Sequence, residues 1–261
     1  MLTTNYQAGT PNWIDVGTPN VEAASEFYSS LFGWEFSSLG PDAGGYGQFT
    51  LGGKVTAAIG PLTEDGARSA WTVYFQSADA EATARAVEQA GGRVRVAPMD
   101  VFDKGRMAAF TDPTGAEFAV WEPWENTGLG VVTEPNTLCW TELHTGNSDS
   151  AKVFYQAIFG WDVVENSSEE FSYTVLRPAG GDDMTNLGGI MGLTDDMTAN
   201  GVMPHWRPYF EVIDCDAAVA KAEQGGGAVV WPAADLEGVG RMAALTDPFG
   251  ASFSVITSAS A

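Results

Sequence analysis

Few residues in this chain are equipped for chemistry. Among 261 residues there are two histidines, His144 and His205, and two cysteines, Cys139 and Cys215. The most suggestive spacing is Trp140, Glu142 and His144. Side chains alternate along a strand, so these three share one face. The same spacing in the first half of the chain reads Trp13, Asp15 and Gly17. A carboxylate therefore stands twice at one inward position, as Asp15 and Glu142, where apolar surroundings would suit it to general acid or base work. His144 beside Glu142 makes an acid–base pair, and with His205 the set has the residue types of a two-histidine, one-carboxylate metal site. Against this stands a plainer expectation, in which Arg106 and Arg241, at the start of two identical GRMAA segments, satisfy the two carboxylates. Arg207, next to Trp206, is a candidate for holding a carboxylate or enolate oxygen of a ligand.

Other chemistries lack their signatures. The cysteines stand 76 residues apart with no CxxC spacing, so neither a zinc cluster nor a redox pair is expected. No GxSxG elbow, P-loop or dinucleotide fingerprint is present. The charge balance of 12 basic against 34 acidic residues, a formal net charge of −22, is repelled by phosphate backbones and anionic membranes. Nucleic acid and membrane are therefore not expected partners. With 44% hydrophobic and 18% charged residues the chain is a packed globule, and it has no uncharged apolar run of spanning length and no leader-like start. A soluble cytoplasmic protein with reduced, ordinary cysteines is expected.

The elements that position these residues are duplicated. FYSSLFGW, starting at Phe27, returns 127 residues later as FYQAIFGW, starting at Phe154. GRMAAFTDP, starting at Gly105, returns 135 residues later at Gly240 with one change. The difference of eight is most simply an insertion in the second copy at 178–186. The copies span 10–123 and 137–257, joined by a linker at 124–136. Within copy one, a strand through Trp13 leads to a helix capped by Asn20, with apolar positions Val21, Ala24, Phe27, Tyr28 and Leu31, and ended by Gly33. A strand from Trp71 to Phe75 then leads to a helix capped by Asp79, and the strands Arg106 to Phe110 and Glu117 to Trp121 flank a DPTG turn. Copy two repeats each step, with Asn147 and Asp216 as the expected caps. The predicted class is α+β: tandem βαβββ modules, four units in two similar domains, with curved mixed sheets forming clefts.

This order, with FYxxxFGW and GRMAxxTDPxG, resembles the vicinal oxygen chelate superfamily, which includes glyoxalase I, extradiol dioxygenases and bleomycin-resistance proteins. The tandem form looks most like an actinobacterial glyoxalase-like group. The resemblance covers about 230 of the 261 residues. It implies metal ligands on the strand before each of two helices and four residues after the glycine of DPxG. Those positions carry Trp13, Thr72 and Ala119 in copy one, and Trp140, Arg207 and Ser254 in copy two. None is a ligand of the expected type. Glu117 lies two residues before Ala119, but its counterpart is Ser252.

No metal and no other cofactor is therefore expected. Indoles at the first ligand position suit stacking on a flat molecule. The expected partner is a small hydrophobic or aromatic molecule held by Trp13, Trp140, Tyr74, Tyr209, Arg207, His205, Trp71 and Trp206, with Tyr46 and Tyr173 as further lining. Two functions are open: sequestration or assistance to a tailoring enzyme, and cofactor-independent isomerase, epimerase or lyase chemistry carried by Glu142, His144 or Asp15. A metalloenzyme of glyoxalase or dioxygenase type is the third class. The copies differ at Gly17/His144, Ala70/His205 and Thr72/Arg207, so copy two is expected to be the more reactive. Single-module relatives form their assembly by dimerising. Two copies in one chain leave both a monomer and a homodimer open.

Overall fold

The computed structural model describes residues 1–63, 66–166 and 172–259. Copy one contains β1 (Pro11–Thr18), α1 (Val21–Phe32), β2 (Glu35–Ser38), β3 (Gly47–Leu51) and β4 (Lys54–Pro61). It continues with β5 (Ala70–Gln76), α2 (Ala80–Gln89), β6 (Arg93–Val101), β7 (Gly105–Thr111) and β8 (Glu117–Pro123). Copy two contains β9 (Leu138–Thr145), α3 (Ser148–Phe159), β10 (Asp162–Glu165), β11 (Tyr173–Arg177) and β12 (Gly188–Gly192). After the short α4 (Asp195–Ala199) come β13 (His205–Glu211), α5 (Cys215–Gln224), β14 (Ala228–Leu236), β15 (Gly240–Thr246) and β16 (Ser252–Ser258). The class is α+β, with eight strands from each copy in a mixed sheet.

Each βαβββ quarter follows one rule, the first strand running parallel to the last while the hairpins between are antiparallel. The strand orders are β2-β3-β4-β1, β5-β8-β7-β6, β10-β11-β12-β9 and β13-β16-β15-β14. The helices begin and end where local chemistry dictates. Asn20 and Asn147 accept from the backbone N–H of Ala23 and Ser150 at 3.1 and 3.0 Å. Gly33 and Gly160 close α1 and α3 in the left-handed region, at φ of 73° and 68°. α2 is capped by Asp79 and α5 by Asp214, not by Asp216. Asp216 lies within the first turn, where both its oxygens accept from Arg241 at 2.8 Å.

Two further expectations are corrected. The eight extra residues of copy two are split, as strand register shows. Asp15 pairs with Ala58 and Glu142 with Gly189, so the offset has already grown from 127 to 131 at β12. It reaches 135 by Trp206, the counterpart of Trp71. Four residues enter between β11 and β12 and four between β12 and β13, the connection that holds α4. Arg106 and Arg241 do not satisfy the inward carboxylates either. Arg106 donates from Nε to Asp100 at 2.6 Å, and Arg241 is held by Asp216 and Asp235. Asp100 and Asp235 face the arginines across the exposed ends of the β6–β7 and β14–β15 hairpins, while Asp216 reaches Arg241 from α5.

Contacts group the chain into two compact units that interleave the copies. One comprises Met1–Trp13, Val73–Gly128 and Trp140–Arg207, and the other Ile14–Thr72, Leu129–Cys139 and Pro208–Ala261. In the first unit α2 packs on α3, and in the second α1 packs on α5. Each unit is centred on the same buried relay. In the first, Trp206 Nε1 donates to Tyr155 Oη at 2.8 Å, and Tyr155 donates to Asp112 Oδ2 at 3.0 Å. Asp112 Oδ1 accepts from the backbone of Thr114, Gly115 and Ala116, so the TDP turn holds its acid in place. In the second unit Trp71 donates to Tyr28 and Tyr28 to Asp247, each at 3.0 Å. Burial, then the neighbouring carboxylate, pushes both tyrosine pKa values well up, which keeps the phenols as donors. No helix among the described residues is long and apolar enough to cross a membrane.

Replacing Tyr155 by Phe strands Asp112 Oδ2 and Trp206 Nε1 inside the core. The expected loss is about 1–3 kcal/mol, read as a lower urea midpoint, with Tyr28→Phe similar. An unchanged midpoint in both variants contradicts this role.

Candidate functional site

The side chains with chemical capacity gather on β9, β11 and the start of β13, all within the first unit. Alternation along β9 points Trp140, Glu142 and His144 the same way, and Glu142 and His144 are 5% and 3% exposed. Burying a carboxylate is tolerable only with partners. Glu142 Oε2 accepts from Tyr173 Oη at 2.9 Å, and Tyr173 Oη in turn accepts from Trp140 Nε1 at 3.1 Å. Gly189, opposite Glu142, makes room for this phenol, since a Cβ there would lie 2.2 Å from the Tyr173 oxygen. On the other side, Glu142 Oε1 lies 2.8 Å from His144 Nε2. The approach is close but off the direction of the ring N–H, so His144 Nε2 has no aligned hydrogen bond.

His205, the first residue of β13, stacks on His144 with ring centroids 4.8 Å apart and an interplanar angle of 11°. Its Nδ1 lies 2.8 Å from the Met203 carbonyl, while its Nε2 is buried without a partner. Burial pushes the His144 pKa down, outweighing the pull of Glu142. For His205, burial and then the charges of His144 and Arg207 push it down to about 3. The cluster thus sets two imidazoles, both held toward the neutral form, beside the buried Glu142.

Copy one keeps only the carboxylate half of this arrangement. Tyr46 donates to Asp15 Oδ2 at 2.8 Å. Gly17 and Ala70 stand where copy two has His144 and His205. The other expected ligand-lining residues are placed as follows. Trp140 and Arg207 are half-buried, whereas Trp13, Tyr74 and Tyr209 are buried. Trp71 and Trp206 are not on the face expected of them. Alternation along β5 and β13 sends them to the helix side, into the relays with Tyr28 and Tyr155, opposite in facing to Tyr74 and Tyr209. A cavity of about 260 Å³ in the second unit, beside Phe32, Ile213 and Lys221, is lined by none of the candidate residues.

The residues present do not fit a divalent metal. The six inherited ligand positions carry indole, hydroxyl, methyl and guanidinium groups, and among the described residues no three His, Cys, Asp or Glu converge on a point. Glu117 is engaged by Arg95 at 2.9 Å. The pairing of each carboxylate with a tyrosine was not foreseen. Its signal lay in the repeat, because Tyr46 and Tyr173 keep the same 127-residue offset as Asp15 and Glu142.

With four βαβββ quarters and this face in view, the chain belongs to the Glyoxalase/Bleomycin resistance protein/Dioxygenase superfamily, whose family model matches residues 10–120. Among its relatives, "Putative glyoxylase CFP32" of Mycobacterium tuberculosis is 40% identical over 260 residues, covering 96% of this chain and 95% of the relative. The anthracycline biosynthesis protein DnrV of Streptomyces peucetius is 38% identical over 270 residues, covering 97% and 94%. A solved structure of similar fold is the Mn(II)-bound glyoxalase from Novosphingobium aromaticivorans, with a TM-score of 0.67 at 17% identity, covering 96% of this chain and 82% of that one.

The depressed histidines make acid stability testable. Below about pH 6.5 the unfolded chain protonates residue 205, but the folded chain resists until about pH 3, so stability falls as pH drops through that window. His144 acts in the same direction. Melting temperatures measured across this range should decline less steeply for His205→Phe than for the parent. Parallel curves contradict the assignment.

Proposed function

We propose that the protein binds a flat, polycyclic aromatic molecule on its sheet faces, without a divalent metal, and that the copy-two face is the principal site. What carries this reading is the replacement of all six inherited ligand positions, with tryptophan at the first of them in both copies beside a carboxylate–tyrosine pair. A half-buried indole such as Trp140, fixed through its Nε1, offers an oriented π surface. The relative named for anthracycline biosynthesis, DnrV, supports a ligand of fused aromatic rings. Binding then serves either to sequester such a compound or to present it to another enzyme.

A second reading rests on a specific contact, the 2.8 Å approach of His144 Nε2 to Glu142 Oε1 inside a buried face. A pair of this kind can move a proton beside a ligand carbonyl, as an isomerase, epimerase or lyase requires. The two readings separate cleanly. If the role is binding, Glu142→Gln changes the affinity for a tetracyclic quinone only modestly. If the role is turnover by a general base, the rate falls by roughly 10²–10⁴-fold.

Titration with a tetracyclic quinone should quench tryptophan fluorescence, Trp140→Ala should weaken binding by roughly tenfold or more, and dialysis against EDTA should leave affinity unchanged. Native mass spectrometry showing a stoichiometric divalent ion, with binding lost when it is removed, contradicts the metal-free reading.

A further inference from the structure

His205 carries a hydrogen-bonding capacity that no described residue meets. Its Nδ1 faces the Met203 carbonyl at 2.8 Å, and a carbonyl oxygen only accepts. The ring proton therefore sits on Nδ1, and Nε2 keeps a lone pair. That atom is closed to solvent and has no partner. A second proton would turn it into a donor, but burial, the stacked His144 of β9 and the Arg207 guanidinium of β13 all oppose one. Glu142 of β9 favours protonation and ranks below these influences, with one of its oxygens already accepting from Tyr173 of β11. A buried acceptor without a donor is destabilising, and a ligand that supplies the donor relieves it. A metal ion would also suit the lone pair, but no third ligand converges there among the described residues.

Resting on the aromatic-ligand reading above, we propose that the copy-two face selects aromatic molecules bearing a free, protonated hydroxyl, which donates its hydrogen bond to His205 Nε2. The phenolate and the O-methyl ether of the same molecule bring no hydrogen to share and are discriminated against. The hydroxyl proton stays on the ligand, so His205 acts in recognition and no bond is made or broken. Because Nε2 is covered, the hydroxyl reaches it only as the side chains above it part. The ligand thus stabilises an opened arrangement of this face.

The test is a tryptophan-fluorescence titration of the full chain, with EDTA present, using 2-hydroxyanthraquinone and 2-methoxyanthraquinone below the pKa of the probe's hydroxyl. The expected result is a roughly ten- to hundredfold preference for the hydroxyl compound. His205→Phe should lose the preference while still binding the ether. His205→Gln, which retains an acceptor oxygen, should keep part of it. Raising the pH through the hydroxyl's pKa should weaken binding of the first probe only. Equal affinities in the parent, or a preference that survives His205→Phe, overturn the inference while leaving the aromatic-ligand reading in place. A preference seen only without EDTA assigns recognition to a bound ion and also overturns it. If neither probe binds, both readings fall. Circular dichroism establishes that each variant is folded, and if His205→Phe is not, the parent and His205→Gln still decide.

Discussion

A tyrosine on one helix, hydrogen-bonded to the aspartate of a TDP turn from the other copy, is the constraint on which the rest of the fold depends. Tyr155 reaches Asp112 and Tyr28 reaches Asp247, each phenol also accepting from an indole. The aspartate has one oxygen fixed by its own turn and the other directed at the phenol, so helix, turn and strand are placed by a single buried carboxylate. Such a group is tolerated in a core only when every partner is present. The arrangement explains why FY and TDP recur together in both copies.

Local chemistry was legible in the sequence, and long-range pairing was not. Asn20, Asn147, Gly33 and Gly160 act within a few residues of themselves, so caps and helix ends could be read directly. Asp214 and Asp216 both precede apolar residues at plausible spacing, and only the helix start and the reach of Arg241 tell them apart. The eight extra residues could be counted from the motifs, but their division into four and four depends on the pairing of β12 with β9. On β5 both faces carry large side chains, Trp71, Val73 and Phe75 against Tyr74, so the pattern did not say which face meets the helices. The candidate site followed the same rule. Alternation brought Trp140, Glu142 and His144 together, whereas the stacking of His205 on His144 joins residues 61 positions apart.

On the copy-two face Trp140 donates to Tyr173 and Tyr173 to Glu142, with the stacked imidazoles of His144 and His205 beside the acid. Such a set differs from an ion in what it discriminates. An ion attracts any pair of oxygens, charged or not. Indole, phenol and neutral imidazole instead distinguish shape and the position of a hydrogen. Copy one retains the acid and phenol without the imidazoles, so duplication has left two related faces with different chemical vocabularies.

The interleaving of the two compact units bears on how the chain is made. The first unit needs residues up to Arg207, and the second draws on a segment that begins at Ile14 and on another that begins at Pro208. During synthesis the early strands β2 to β4 therefore leave the ribosome well before the segment that completes their unit exists. From Pro61 at the end of β4 to Pro208 the chain advances by 147 residues (208 − 61), about 7–30 seconds at ordinary translation rates. Through that interval the apolar sides of Phe27 and Phe32 lack their later neighbours Phe210 and Phe253. Nascent chains of this design are open to chaperones and to self-association for longer than chains whose domains close in sequence order, and the abundance of acidic side chains works against the second of these fates.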